Sequence, residues 1–517
     1  MEILDGKLLL IQTRQPHLIT DIIKKSRVVE EEDGISKVAI HWGLDETQEL
    51  AKLQIQDIPS TITRDYVWTG KHKPFAHQKE TSAFLTLRKK AFCFNEQGTG
   101  KTASAIWAAD YLMKVGKIKR VLVVCPLSIM KAAWQADLFK FAMHRSCSVA
   151  YGDAATREKI IEAGAEFVII NHDGLGTVKD AVIDGGFDLV IADEATAYKN
   201  PSTNRWKILK AVVANIPWLW MMTGTPAAQS PIDAYGLAKL VNPEGTPKYF
   251  GQYRNEVMYK VSQFKWVAKP SAEKTVHRVL QPAVRFEKDQ CLDLPSVTYV
   301  NRDAPLTGQQ DKYYKLLKRQ FMLSADGERV TAVNAAVNIN KLLQISGGAV
   351  YSDTKEVIEF DVSSRIKVIL EAIGEASHKV LVFVPFTHTI ELLKTALDNH
   401  KISSEVIQGS VSVNKRSDII KRFQENPTPH VLIIQPQAAS HGLTLTAANT
   451  VIWYAPVTSV ETYLQANARI DRPGQFNPMT VIHIIGSEIE ARLYSMLKNN
   501  ITNHTKIIDL YRQELTE

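Results

Sequence analysis

The chain has 517 residues, of which 45% are hydrophobic, 23% charged and 8% aromatic. At about 100–200 residues per domain this length allows two or three domains with their own cores, and the composition excludes a disordered or fibrous protein. The net charge of +7 suits a polyanionic partner.

Residues 1–70 read as a small α+β module. Residues 7–12 have strand character, and 17–25 have helical spacing. Strands at 27–29 and 37–42 flank Glu30-Glu31-Glu32-Asp33-Gly34, whose Asp-Gly predicts a hairpin turn with the acidic run solvated in it. From about residue 72 the pattern changes. Short apolar strands at 91–94, 121–125, 167–170, 189–192 and 219–222 alternate with helical segments, and the alternation resumes at 380–384, 431–434, 450–453 and 481–484. That is the signature of two parallel sheets flanked by helices, an α/β chain. The predicted boundaries are an accessory module at 1–70, a first α/β lobe at 71–240, a basic and aromatic protrusion with linker at 241–300, a second lobe at 301–500 and a tail at 501–517. Within the linker, residues 248–288 hold nine Lys/Arg against three Asp/Glu, interleaved with aromatic residues. This segment reads equally as a duplex-tracking element, with Lys265, Trp266 and Lys269 as contacts, or as a helical excursion with a solvated basic face and an aromatic core.

The four cysteines, Cys93, Cys125, Cys147 and Cys291, form no C-x-x-C pair, which argues against structural zinc and for a reducing compartment. The 14 histidines are scattered, so no metal beyond Mg²⁺ is expected. There is no secretory leader pattern, and no stretch approaches the ~20 apolar residues of a membrane helix. The expectation is a soluble cytoplasmic protein.

The strand at 91–94 runs into Asn95-Glu96-Gln97-Gly98-Thr99-Gly100-Lys101-Thr102 and then a helical segment at 103–113. Glycines let backbone N–H groups curl around phosphates, and the helix N-terminus adds a favourable dipole. Gly98, Thr99 and Gly100 would cradle the phosphates of ATP, Lys101 would reach the β/γ-phosphates, and the Thr102 hydroxyl would ligate Mg²⁺. Asn95 stands where the strict phosphate-loop pattern has glycine. The buried strand at 189–192 ends in Asp193-Glu194. Asp193 would hold Mg²⁺ through water, and Glu194 would activate the attacking water.

In this order and spacing the chain resembles the superfamily 2 helicases, and within them the SWI/SNF-type DNA translocases, from about 72 to 490. Pro74-Phe75-Ala76-His77-Gln78 resembles the segment whose glutamine reads adenine. Asn95–Thr102 resembles motif I. Val123-Val124-Cys125-Pro126 and Ile169-Ile170-Asn171-His172 resemble motifs Ia and Ib, which face nucleic acid. Asp193-Glu194-Ala195-Thr196 resembles motif II, and Thr223-Gly224-Thr225-Pro226 motif III. Motif IV resembles residues 382–386, and motif V resembles His441-Gly442-Leu443-Thr444-Leu445. Gln465-Ala466-Asn467-Ala468-Arg469-Ile470-Asp471-Arg472-Pro473-Gly474-Gln475 resembles motif VI. Leu294-Pro295 resembles the entry to the second lobe, and Arg365 stands where the group usually has lysine.

The resemblance implies two RecA-like lobes in tandem and a nucleic-acid-stimulated ATPase using ATP and Mg²⁺. It makes Gln78 the adenine contact and adds Gly442 to the nucleotide site. Pro126, Asn171 and Thr444 become nucleic-acid contacts. Arg469 and Arg472, three apart and so near one helix face, would stabilise the charge that builds during phosphoryl transfer. The implied activity is a translocase on duplex or branched DNA, remodelling forks or junctions in replication, recombination or repair. A strand-separating DNA or RNA helicase is a second reading, and an ATP-regulated DNA clamp a third. The compact chain suggests a bacterial or viral source by analogy.

Overall fold

The computed structural model describes residues 1–499 apart from 54, 56, 71–72, 228–229, 262–265, 292–294, 326–331, 352–356 and 440–443. Lys265, Leu294, Gly442 and the tail at 501–517 therefore lie outside the described residues. The chain forms two compact units. One comprises Met1–Ala227 with Pro231–Cys291, and the main body of the other begins at Leu292.

The first unit opens with a four-stranded antiparallel sheet, Glu2–Leu4, Leu8–Thr13, Ile35–His41 and Ser26–Glu32 in spatial order. Asp33 and Gly34 both have positive φ, the geometry that an Asp-Gly hairpin turn requires. The acidic run is not in the turn. Glu30, Glu31 and Glu32 extend the strand itself, paired to Lys37, Ser36 and Ile35, because their side chains stay exposed there and the Lys37 ammonium meets Glu30. The helical spacing at 17–25 yields only one turn, His17–Thr20. The other sheet face packs Leu9, Ile11, Val38 and Ile40 with Trp42 and Leu50. Thr61 shares a 2.6 Å hydrogen bond with the Tyr111 hydroxyl, and Ser60 one of 2.7 Å with Thr86, which fastens this module to two helices of the α/β body.

That body is a seven-stranded parallel sheet in the order Ala283–Val284, Lys90–Cys93, Trp218–Met222, Leu189–Asp193, Val121–Cys125, Phe167–Asn171, Cys147–Ala150. The five inner strands are continuous apolar runs, as sheets covered on both faces require. After Lys90–Cys93 the chain skips two positions, later filled by Leu189–Asp193 and Trp218–Met222, and re-enters the sheet at Val121–Cys125. Ligands of open α/β sheets bind beyond the strand C-termini at such a switch point. The basic segment sends Tyr253, Val257, Val279 and Leu280 into the same core as the sheet. It then returns as Ala283–Val284, alongside Phe92 and Cys93.

The second unit is a six-stranded parallel sheet in the order Val297–Asp303, Met479–Ile485, Ala448–Trp453, Lys379–Phe383, Val431–Ile434, Ser404–Ile407. Arg365, on the helix Ser363–Glu375, is buried. Its guanidinium meets both carboxylate oxygens of Glu490, at 2.9 and 2.8 Å, and also the Tyr454 carbonyl. Nη2 takes both carboxylate oxygens while Nη1 takes that carbonyl, a spread of contacts that the single nitrogen of a lysine does not reproduce.

His483 is fully buried, between the Tyr463 hydroxyl at 2.9 Å and the Asn301 side chain, with the Tyr494 ring stacked on it. Burial, helped by Lys498, lowers its pKa from 6.5 to about 3. Between those values the unfolded chain binds a proton that the folded unit refuses, so stability falls as pH falls through this window. The expected slope is at most about 1.4 kcal/mol per pH unit for this one group. Denaturant midpoints measured at pH 7 and pH 5 should converge in a His483→Gln variant relative to the parent. An acid dependence equally steep in the variant would remove His483 as its source.

Candidate functional site

Strand register brings the motifs to one edge. Met222 lies opposite both Cys93 and Asp193, Val124 opposite Ala192, and Cys125 opposite Asn171. The loops that follow these strands are 95–100, 223–226, Asp193-Glu194, the turn from Pro126, and Asn171-His172. All leave the sheet on the same side.

The loop before Lys101 is built by two left-handed glycines, Gly98 (φ 86°) and Gly100 (φ 83°), and the helix then runs from Lys101 to Lys114. The Lys101 ammonium donates to the carbonyls of Asn95 and Glu96, at 2.8 and 3.1 Å. Asn95 departs from the usual loop pattern for a visible reason. It is fully buried, its Nδ2 donates to Thr81 Oγ1 at 2.7 Å, and its Oδ1 accepts from the Phe286 N–H at 3.0 Å. Glu96 continues the clamp, accepting from the Lys288 N–H at 3.0 Å. The segment 283–288 thus braces the loop, a role that composition alone does not show.

Gln78 sits against the loop. Its Nε2 donates to the Thr99 carbonyl at 3.1 Å, and its Oε1 accepts from the Phe75 N–H at 3.0 Å. A methyl group added at Gly100 would lie 2.2 Å from that Nε2. Gly100→Ala therefore meets a pinned side chain and also leaves a non-glycine residue at positive φ, a conformation costing of order 1–3 kcal/mol. The expected outcome is at least a tenfold loss of ATP affinity in equilibrium binding, equivalent to about 1.4 kcal/mol. Undiminished affinity would mean that the loop tolerates what its geometry forbids.

Asp193 ends its strand with the side chain buried. Oδ1 accepts from the Glu194 N–H at 3.0 Å, and Oδ2 accepts from the indole N–H of Trp134 at 2.9 Å. Glu194 itself is left-handed (φ 51°, ψ 54°), a strained setting for a glutamate and one found disproportionately at functional sites. Beyond it, Gly236 allows close helix packing, since a Cβ there would meet the Tyr198 and Lys199 carbonyls within 2.4 Å. The Thr223 N–H donates to the Cys93 carbonyl at 3.1 Å, tying motif III to the strand that feeds the phosphate loop.

Two buried polar atoms here, Gln97 Oε1 and Thr225 Oγ1, have no hydrogen-bond partner among the described residues. Buried polar atoms are seldom left so, and a polar ligand beside the loop would supply partners. With the glycine cradle, Lys101, Thr102 and a buried carboxylate at one edge, the donor set fits a magnesium-bound triphosphate. Cys93 and Cys125 are buried in the sheet, and burial pushes both thiols above their usual pKa.

Two expected nucleic-acid contacts, Pro126 and Asn171, stand at this same sheet edge, and the remaining expected site residues lie elsewhere on the fold. Pro126 is buried, and Asn171 Oδ1 accepts from Arg157 at 2.9 Å. Trp266 is half-buried beneath the Arg254 guanidinium, 4.1 Å from its ring centre, and the Lys269 ammonium donates to the Asn255 carbonyl. In the second unit the helix Val460–Asn467 stops before the two arginines, so they do not share a helix face. Pro473 disfavours helical geometry at Arg472, and Gly474 takes positive φ. Arg469 is buried, its Nε donating to the Gln465 carbonyl at 2.7 Å. Arg472 is half-buried, with Nε on the Ala468 carbonyl at 2.7 Å and Nη1 3.3 Å from the hydroxyl of the exposed Thr444.

A phosphate loop and an acidic strand end at the switch point of a parallel sheet, followed by a second parallel-sheet unit, define the class of tandem α/β nucleotide-binding proteins. Residues 77–349 match the SNF2-related domain, residues 364–474 match the helicase conserved C-terminal domain, and the chain belongs to the SNF2-related family. It is 28% identical over 442 residues to chromodomain-helicase-DNA-binding protein 1-like of Mus musculus, covering 80% of this chain and 47% of that protein. It is 26% identical over 410 residues to an uncharacterized ATP-dependent helicase of Mycoplasma genitalium, covering 77% and 38%. The chain thus spans less than half the length of these two curated relatives. Among solved structures it resembles the Sulfolobus solfataricus SWI2/SNF2 ATPase core in complex with dsDNA, with a TM-score of 0.42 and 21% identity over 84% of this chain and 92% of that one. Among the described residues no helix is long and apolar enough to cross a membrane.

Proposed function

We propose that this chain is an ATP-hydrolysing motor that moves on DNA and remodels duplex or branched DNA, at forks or junctions, in replication, recombination or repair. The observation that carries the reading is the gathering of Lys101, Asp193, Glu194 and the Thr223–Thr225 turn at one edge of one sheet. The names of two relatives, a helicase-DNA-binding protein and an ATP-dependent helicase, support the same direction.

ATP with Mg²⁺ supplies the bond to be broken and neutralises charge on the phosphates. The chain's own residues do the rest. Lys101 exchanges its carbonyl partners for phosphate oxygens, and the amides of Gly98, Thr99 and Gly100 line the cradle. Gln78, already aimed by Phe75 and Thr99, reads the base. Asp193 and Thr102 would hold the metal, and Glu194 would orient the attacking water. Arg472, by its resemblance to motif VI, would stabilise the charge that develops on transfer. DNA is gripped at its phosphates by backbone amides, hydroxyls and basic side chains, so binding is indifferent to sequence and falls steeply with salt.

The module at 1–70 acts as a scaffold. The Tyr66 hydroxyl, at its border, donates to the buried Asp110 carboxylate at 2.6 Å, which also accepts from Arg145 at 2.6 Å, so the module is fastened into the first unit rather than held out from it. The test is steady-state ATP hydrolysis at one fixed salt with no nucleic acid, single strands, blunt duplex, a fork, a four-way junction and RNA. Greatest stimulation by duplex or branched DNA is the expected result. Greatest stimulation by single strands or RNA would make this a strand-separating helicase, and no stimulation at all would leave only an ATP-regulated clamp.

A further inference from the structure

Trp134 has no role in the account so far, and its placement is unusual. It lies on a π-helical turn, Met130–Gln135, that follows a short 3₁₀ turn, Leu127–Ile129, and passes directly into the helix Ala136–Phe141. A π turn carries one more residue than an α turn and recurs at functional sites. The indole is fully buried, and its N–H ends 2.9 Å from Asp193 Oδ2. The other carboxylate oxygen accepts from the Glu194 N–H, so the two hydrogen bonds together fix how the carboxylate faces the phosphate loop. The indole shares one apolar core with Cys125, Ile129 and Leu138, where a single directed hydrogen bond counts for more than in water. At the other end of the same continuous turn, Leu127 and Lys131 are exposed, next to the end of the strand Val121–Cys125.

We infer that Trp134 is a positioning residue for Asp193, and that through its π-helical turn it relays polynucleotide contact at 127–131 to the metal-holding carboxylate. The inference rests on the ATPase reading above. Groups that orient a metal-binding side chain typically contribute ten- to a hundredfold to metal affinity or activity. The turn is the physical link, because Lys131 and Trp134 share it and the indole at its far end donates to Asp193.

The test is Trp134→Phe, which keeps an aromatic ring in the core and deletes the donor. In the parent, Mg²⁺ should tighten ATP binding relative to EDTA, and duplex DNA should stimulate turnover. In the variant, metal-free ATP affinity and the melting temperature should stay close to the parent's. The Mg²⁺ concentration for half-maximal tightening should rise about tenfold, and the fold-stimulation by duplex should drop about tenfold. An unchanged Mg²⁺ requirement would overturn the positioning role, and unchanged stimulation the relay. If Trp134→Phe does not fold, 3-benzothienylalanine at position 134 preserves the indole's shape and lacks only the N–H, and the same readouts apply. A parent protein with no Mg²⁺-dependent ATP binding or hydrolysis would defeat the ATPase reading itself, a result separable from any difference between parent and variant.

Discussion

Arg472→Ala is expected to leave ATP binding intact and to lower DNA-stimulated turnover by about 10³-fold or more. The magnitude follows from what arginines contribute when they meet charge developing on a transferring phosphoryl group, ~10³–10⁵ in rate. Within the second unit the two arginines stand in different settings. Arg469 is buried in its own unit and hydrogen-bonded to Gln465, whereas Arg472 is half-buried on a turn whose path is set by Pro473 and Gly474. An interaction made only in the transition state should change kcat and kcat/KM alike and spare ground-state affinity. Equilibrium binding of ATP alongside single-turnover hydrolysis separates the two. Arg469→Ala should behave differently, lowering the melting temperature of the second unit together with activity, because it empties a buried site. Normal hydrolysis by Arg472→Ala would contradict its assigned role.

Lys101→Ala is expected to abolish measurable turnover and weaken ATP binding. The ammonium bridges two loop carbonyls, Asn95 and Glu96, so its loss also removes a brace from the loop. Charge-assisted hydrogen bonds of this kind contribute about 1.5–3 kcal/mol each, and the phosphate contact adds the part specific to catalysis. Fluorescence binding and steady-state hydrolysis check it. Lys101→Arg should not rescue, because the guanidinium is too broad and planar for a point contact designed around an ammonium. Full activity in either variant would remove the phosphate-loop assignment.

The sequence disclosed the inner architecture and not its margins, for a physical reason. The nine strands legible as apolar runs all lie inside the two large parallel sheets. The four not anticipated there, Ala283–Val284, Cys147–Ala150, Val297–Asp303 and Ser404–Ile407, are the four edge strands. An edge strand is half-exposed and carries polar residues, so it shows no continuous apolar run. Ala283–Val284 is also too short for any period to register.

The phosphate loop and the Asp-Glu strand end were legible because their chemistry is local in the chain, one residue beside the next. Trp134 and Phe286 were not. Each reaches the site across the fold, Trp134 by way of a π-helical turn and Phe286 by way of a two-residue strand. The helix-face argument for Arg469 and Arg472 failed because spacing of three implies a shared face only inside a helix, and this helix ends at Asn467. Asn95 read as a departure from a pattern; its buried bonds to Thr81 and Phe286 show what the departure accomplishes.

The central claim is that ATP turnover drives movement along DNA. Its most direct test is displacement of a triplex-forming strand from a duplex, with the triplex placed at increasing distances from a free end. The expected result is ATP-dependent displacement with a lag that lengthens with distance, absent in Lys101→Ala and in Arg472→Ala. ATP hydrolysis stimulated by duplex but with no displacement at any distance would contradict it, leaving an enzyme that responds to DNA without moving on it.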